Sequence, residues 1–366
     1  MQLQFFPSRR VALYMGRTFL VRTFAVLAML TIVLLTLDML GESGKVLGAP
    51  GNGEAELWRY AGLRLPQLIA RFLPFSVLLG TLITLATMNQ HSEIVSMKAA
   101  GLSAHQILAP LILAAAGIAV VSFVFNERVV TRANATLDAW EKVDFKQIPP
   151  DSGAKADVWL RDGNNIVTAG MVAGRGNAVT LQQVEIFRRI DNRLIAIVRT
   201  PKAHYDPAAK NWVFEDARLF DVNRGTSREL GTIHAMGEVR PDQFTLARVD
   251  AEGQNFLDLR QAIADLRDAG RPTAELEASL WHKISGPLSA MLMPLLGSVA
   301  AFGLARSGHL FVRTVIGMAL GFAYFVADNF ALAMGNLGAY PPVLAAWAPF
   351  LMFLLLGEAV LMRTEE

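Results

Sequence analysis

Residues 99–126, AAGLSAHQILAPLILAAAGIAVVSFVFN, run for 28 positions between Lys98 and Glu127 without one charged side chain. A helix rises 1.5 Å per residue, so about 20 residues cross the roughly 30 Å hydrocarbon layer of a bilayer. A charge at the middle of such a helix costs about 2.5 to 3.5 kcal/mol, which makes the gaps between charges a ruler for membrane spans. Read outward from this stretch, the other long gaps hold 15 residues (Arg22 to Asp38), 21 (Arg71 to Glu93), 22 (Lys283 to Arg306), 14 (Arg313 to Asp328) and 29 (Asp328 to Glu358). Arg22 can snorkel and extend the first span to Arg17–Leu40. The turn-rich run Gly335-Asn336-Leu337-Gly338-Ala339-Tyr340-Pro341-Pro342 divides the last two. The expectation is an α-helical integral membrane protein with six transmembrane helices in a 3+3 arrangement, near 17–40, 66–88, 104–126, 284–304, 312–334 and 343–362.

Composition agrees with a bilayer. The chain has 366 residues, 53% hydrophobic and 18% charged, with a mean hydropathy of +0.35, too apolar for a soluble protein of this size. A net charge of +2 offers no global attraction to nucleic acid. The absence of cysteine excludes disulfides, zinc–thiolate sites and a cysteine nucleophile. Arg9 and Arg10 precede the first apolar run as in a signal peptide, but the run is long for one and lacks an A-x-A site, so it is expected to stay as a span. With the N-terminus inside, eight Lys/Arg flank the inner side (Arg9, Arg10, Arg17, Arg22, Lys98, Arg306, Arg313, Arg363) and four the outer (Lys45, Arg59, Arg64, Arg71). The positive-inside rule then places both termini in the cytoplasm.

Between Glu127 and Lys283 the charge gaps collapse, which divides the chain into a membrane half 1–126, an extracytoplasmic domain 127–283 and a second membrane half 284–366. Val158 to Leu160 and Asn165 to Ala169 flank the turn Arg161-Asp162-Gly163-Asn164, and Val179–Ile190, Arg193–Tyr205 and Trp212–Val222 follow as strands. Strands at this spacing predict an inserted all-β sandwich or jelly roll over about 140–250. Leu257, Ile263 and Leu266 then predict one apolar face of a helix over 255–269, stopped by Gly270.

The short turn between spans two and three, Gln90 to Gly101, predicts a stub helix of about three turns. Ser92 or Asn89 is its candidate cap, Glu93 suits its positive N-terminus, Ile94, Met97 and Lys98 lie one turn apart, and Gly101 ends it. The residues fit an interfacial helix or a coupling helix for a cytosolic partner.

Here the sequence resembles the lipopolysaccharide-export permeases of the LptF/LptG (YjgP/YjgQ) type. The resemblance rests on Leu65-Pro66, Arg71-Phe72-Leu73-Pro74, Ser92 to Gly101, Leu160 to Asn165, His282-Lys283-Ile284 with Pro287-Leu288, and Gly321 to Asp328. It covers essentially the whole chain, and Trp159 to Asn165 with the short C-terminus favours the G-type (LptG) branch. It implies a non-catalytic permease subunit in the bacterial inner membrane, exporting lipopolysaccharide towards the outer membrane. The implied partners are a paralogous LptF-type permease, two LptB-type ATPases that bind the ATP and Mg, a single-span LptC-type jelly-roll protein and an LptA-type periplasmic bridge. Glu93 is implied as the ATPase contact, with Ser92, Ile94, Met97 and Lys98 beside it. Lysines that meet substrate phosphates near the first span in G-type relatives are not matched around Asp38, where Lys45, Arg59, Arg64 and Arg71 stand in their place. Phe72 and Phe75 are candidates to line an acyl-chain cavity, and Asp328 to face that cavity or the outer interface.

No motif supplies an enzyme. Gly41-x-x-Gly44-Lys45 is too short for a P-loop, Gly101 to His105 lacks the last glycine of a nucleophile elbow, and the six histidines show no metal-ligand spacing. No metal or cofactor is expected in this chain. Three other functions fit the same architecture: a mechanotransmitting permease with no transmembrane substrate, a proton-coupled secondary transporter using Asp328 or Asp38, and a structural anchor for the β domain.

Overall fold

The computed structural model describes residues 7–141, 144–146, 155–173, 179–190, 193–207, 209–222, 224–237, 239, 241, 244, 250–268, 271–302 and 310–363. They fall into two compact units, Met1–Lys146 with Ala251–Glu366, and Gln147–Asp250.

The first unit is helical: α1 (Arg9–Gly48), α2 (Glu54–Gln90), α3 (Glu93–Ala99), α4 (Ala104–Phe125), a π-helical turn (Asn126–Val130) and α5 (Thr131–Glu141) precede the insert. After it come α6 (Phe256–Asp268), α7 (Ala274–Phe302), α8 (Leu310–Asn336) and α9 (Pro342–Arg363). Helix α2 is central and packs against α1, α5, α7 and α8. Small residues allow the approach, as is usual where helices meet without a hydrophobic drive. A Cβ on Gly80 of α2 would fall 2.3 Å from Thr23 Oγ1 of α1, and one on Gly321 of α8 would fall 2.1 Å from Leu78 of α2. Around these contacts Phe19, Val77, Leu82, Leu85, Leu108, Leu111 and Leu296 form a continuous buried core.

Five helical stretches are long and apolar enough to cross a membrane: Arg9–Gly48, Glu54–Gln90, Ala104–Glu141, Thr314–Asn336 and Pro342–Arg363. The expected fourth of six spans falls on α7, which does not meet that measure among the described residues. Its first half carries Glu275, Glu277 and Lys283, and residues 303–309, where the expected span ends, lie outside the described set. Helix α6 also departs from expectation. Leu259, Ile263 and Leu266 are buried while Leu257 is 72% exposed, so the apolar face is set by Leu259. Gly270 lies outside the described residues.

The second unit holds β1 (Lys155–Asp162), β2 (Asn165–Ala173), β3 (Thr180–Ile190), β4 (Arg193–Asp206), β5 (Asn211–Asp221) and β6 (Thr226–Ala235). They form one antiparallel sheet in the order β1-β2-β3-β4-β5-β6. The described strands therefore make a meander, without the two sheets or crossovers expected of a sandwich or jelly roll. The β1–β2 hairpin turns on Gly163 (φ +55°) and Asn164, which closes the register Asp162↔Asn165. Trp212 and Phe214 are fully buried, and the Trp212 indole N–H donates to Val239 O at 2.7 Å. Strand β6 was not visible in the sequence, because Thr226-Ser227-Arg228-Glu229 reads as polar loop; as an edge strand it is largely exposed.

Candidate functional site

Helix α3 has seven residues, two turns where three were expected. Ser92 enters it in the left-handed region (φ +58°) and its side chain makes no cap; the chain leaves through Gly101 at φ +85°. At the next helix Ser103 and Gln106 cap each other reciprocally, with Gln106 N to Ser103 Oγ at 3.2 Å and Ser103 N to Gln106 Oε1 at 3.0 Å. Ile94 is buried in the bundle core and Met97 packs beside it. Ser92, Val95 and Lys98 face outward, and Glu93 is half-buried at the edge, where the Tyr14 hydroxyl of α1 donates to its Oε1 at 3.2 Å. A short rod with one face keyed into the core and the other open moves as part of the bundle when pushed.

At the opposite end of α1 and α2, Asp38 is enclosed by donors. Arg64 Nε and Nη2 reach its two oxygens at 3.1 and 3.0 Å, and Tyr60 Oη donates at 2.7 Å. This planar fork commits Arg64 to Asp38, with Gln67 accepting from the remaining guanidinium nitrogen. Lys45 pairs with Glu42 one turn away at 2.9 Å, and Arg59 lies 5.2 Å over the Trp140 ring. Asp38, Glu42, Lys45, Tyr60 and Arg64 border a cavity of about 780 Å³ that also includes Glu141 and Asp144, and Arg59 lies outside it. Of the four cations named from the sequence, Arg71 alone has no recorded ion pair or ring contact among the described residues; it lies exposed on a different cavity.

That second cavity, about 430 Å³, opens between α2, the π-turn with α5, α7 and α8. Its apolar wall includes Phe75 and Phe325, whose rings meet edge to face at 5.2 Å. Phe72 is half-buried against the core and does not line it. Its polar wall is built on two adjacent residues of α7. His282 Nε2 lies 3.0 Å from Asp328 Oδ2 of α8, and Lys283 Nζ lies 3.8 Å from Glu127 Oε1 of the π-turn. Glu127 Oε2 also accepts from Phe256 N at 2.5 Å, which ties α6 to the same carboxylate. Proline makes this wall rich in acceptors. Pro74, Pro287 and Pro294 deprive the carbonyls of Ala70, Lys283 and Ala290 of their helical donors, and all three of those residues line the cavity. Asn134 Oδ1, buried in the same wall, has no hydrogen-bond partner.

The structure thus gathers Asp328, Phe75 and Arg71 in one cavity and Asp38, Lys45 and Arg64 in another, and sets Glu93 apart on α3. Sequence reasoning left Tyr14, Tyr60, Glu127, His282 and Lys283 without a role. Glu127 carried a signal as the charge that closes the 28-residue gap, and His282-Lys283 as a basic pair at the head of a span. No group of side chains that could hold a metal occurs among the described residues.

Comparison with known proteins places the chain. Residues 13–363 match the family model of the lipopolysaccharide export system permease LptF/LptG. The lipopolysaccharide export system permease protein LptG of Escherichia coli (strain K12) is 25% identical over 360 residues, 96% of this chain and 97% of that protein. The LptG protein of Haemophilus influenzae is 25% identical over 375 residues, 96% of this chain and 98% of its own length. The chain belongs to the LptF/LptG permease family.

Proposed function

We propose that this family member is the LptG-type permease subunit of an exporter that takes lipopolysaccharide from the inner membrane towards a periplasmic bridge. In this reading α7 supplies the sixth span, because Ala290, Leu292, Met293, Leu295 and Leu296 already bury its second half in the bundle. Both termini and α3 then face the cytoplasm, and the sheet unit 147–250 faces the periplasm. The apolar face of the β unit's sheet is the place that would receive acyl chains.

The observation that carries the reading is the two-faced α3. Ile94 roots it in the core, while exposed Val95 and the edge carboxylate of Glu93 face a cytosolic ATPase, with Lys98 exposed beside them. ATP use in that partner pushes α3. Because Tyr14 ties Glu93 to α1 and Ile94 ties α3 to the core, the push reaches α1 and α2 together. Movement of these helices against the paralogous permease narrows a shared cavity and squeezes the lipid outward. Arg71 is the cation most open to meet substrate phosphates, followed by Lys45 and Arg59, whose contacts with Glu42 and the Trp140 ring are weaker than the fork that holds Arg64 on Asp38.

The test is a detergent pull-down with wild type and Glu93→Ala, assaying the co-purified ATPase with and without lipopolysaccharide. An ATPase that binds wild type, weakens with Glu93→Ala and responds to the lipid supports the exporter. A folded wild type that captures no ATPase removes it in favour of an ion-coupled transporter or an anchor.

A further inference from the structure

Four arginines lie on the first half of α1, Arg9, Arg10, Arg17 and Arg22, and no acid precedes Asp38 in the chain. None of the four forms an ion pair among the described residues. Arg22 is the most costly to place, because it lies five residues, about 7.5 Å, further along the helix than Arg17 and inside the apolar run. Its Nη1 donates to Ile83 O of α2 at 3.0 Å, a carbonyl that also accepts from Thr87 Oγ1 at 2.7 Å. The bond aims the guanidinium and leaves its charge unbalanced. The helices packed on α1 supply no carboxylate at this level, since α2 has none after Glu56 and α4 has none at all. Glu93 of α3 accepts from Tyr14 instead. The anion that balances Arg22 therefore comes from outside the chain.

Arg17 and Arg22 share a groove of about 490 Å³ on the open side of α1 with Leu13, Tyr14, Thr18 and Val21. Leu13, Arg17 and Val21 recur every fourth residue, as do Tyr14, Thr18 and Arg22, so the two cations lie on one face of the helix. Phe24, nearly one turn beyond Val21, is exposed as well. We propose that this groove holds an anionic phospholipid, its phosphodiester met by the forks of Arg22 and Arg17 and an acyl chain laid along Val21 and Phe24. A dissolved anion would have to shed its water to reach Arg22, whereas the phosphate of a lipid is held near that depth by its own chains. A zwitterionic lipid brings no net charge to two unpaired cations, and an anionic one does. In the orientation proposed above the leaflet is the cytoplasmic one, whose surface is negative. The bound lipid braces α1 beside α3, because Arg22 is bonded to α2 and Tyr14 to Glu93. The assignment goes beyond the export reading and requires only that α1 cross the bilayer, as its length and composition allow.

The test is native mass spectrometry of the full chain released from nanodiscs of equal parts phosphatidylcholine and phosphatidylglycerol. The expected result is a phosphatidylglycerol adduct retained in clear preference to phosphatidylcholine. Arg22→Gln and Arg17→Gln should each lower that retention about fivefold. Arg363→Gln, which removes the same charge from the last turn of α9, should keep it. Arg17 is exposed, so its replacement leaves the core intact even if Arg22→Gln disturbs the fold. Added lipopolysaccharide should leave the phospholipid in place. Equal retention of the two phospholipids, or equal losses in Arg17→Gln and Arg363→Gln, would overturn the site and leave only diffuse attraction between charges. Displacement by lipopolysaccharide would overturn it in favour of the cargo.

Discussion

Asp38 shows how far a single residue's meaning depends on what folds around it. In the chain it is an acid at the end of an apolar run, open to reading as an ion-coupling carboxylate. In the bundle it is the acceptor of three hydrogen bonds from Tyr60 and Arg64. Both ends of the pair are largely buried, so removing one charge strands the other. Asp38→Asn and Arg64→Gln should each destabilise the helical unit by about 2 kcal/mol, with the double variant costing less than the sum. Thermal unfolding of the three proteins in one detergent measures the coupling, and strict additivity would mean the fork does not form. Glu277 supplies a pH-dependent case. Burial pushes its carboxyl up, but hydrogen bonds from Thr273 and Arg267 and the nearby guanidinium charge outweigh it and hold the group below its ordinary 4.5. A depressed carboxylate contributes stability above its unfolded value that is lost as pH falls through the folded one. Exchange protection over 256–283 should accordingly drop below about pH 4.5, and Glu277→Gln should remove that part of the acid response.

At the scale of elements, close packing sets the strongest expectations. Gly80 meets the backbone of Thr23 as well as its hydroxyl, so the neighbour cannot simply turn away. Gly80→Ala should cost about 1 to 3 kcal/mol by overpacking, visible as a lower unfolding temperature. Gly101 stands in open space but at φ +85°, so Gly101→Val should disturb the exit from α3 through backbone strain alone. The readout is capture and stimulation of the ATPase that the proposed function assigns to α3, and unchanged values would show that the turn geometry is dispensable. The sequence disclosed the elements that depend on local composition: the long apolar helices, the strands β1 to β5 and the stub at α3. It concealed β6, whose polar residues suit an exposed edge, and the face of α6, where Leu257 and Leu259 are two residues apart and only contact decides between them. The sites were legible as residue types and not as pairs. Nothing local says that Arg64 will be spent on Asp38, that Tyr14 will reach Glu93 across 79 positions, or that Lys283 will meet Glu127.

At the scale of the molecule, sidedness is the claim that most needs an experiment, and the missing cysteines make it simple. Leu337 is 77% exposed in the α8–α9 turn and Val95 is 51% exposed on α3. In intact cells an impermeant maleimide should label Leu337→Cys and spare Val95→Cys until the membrane is broken; the reverse pattern would invert the topology. Chain order has a further consequence, for how the protein is made. Each strand of the sheet pairs with its neighbour in sequence, so that unit can form as it is synthesised. The bundle cannot. The face of α2 that receives α7 and α8 is synthesised before the insert, and its partners after it. At about 5 to 20 residues per second, the interval from Gln90 to Ala274 is roughly 10 to 40 s. Throughout that time Leu78 and Thr81 wait for helices that do not yet exist, and a nascent chain stalled there is the form that membrane chaperones and proteases meet.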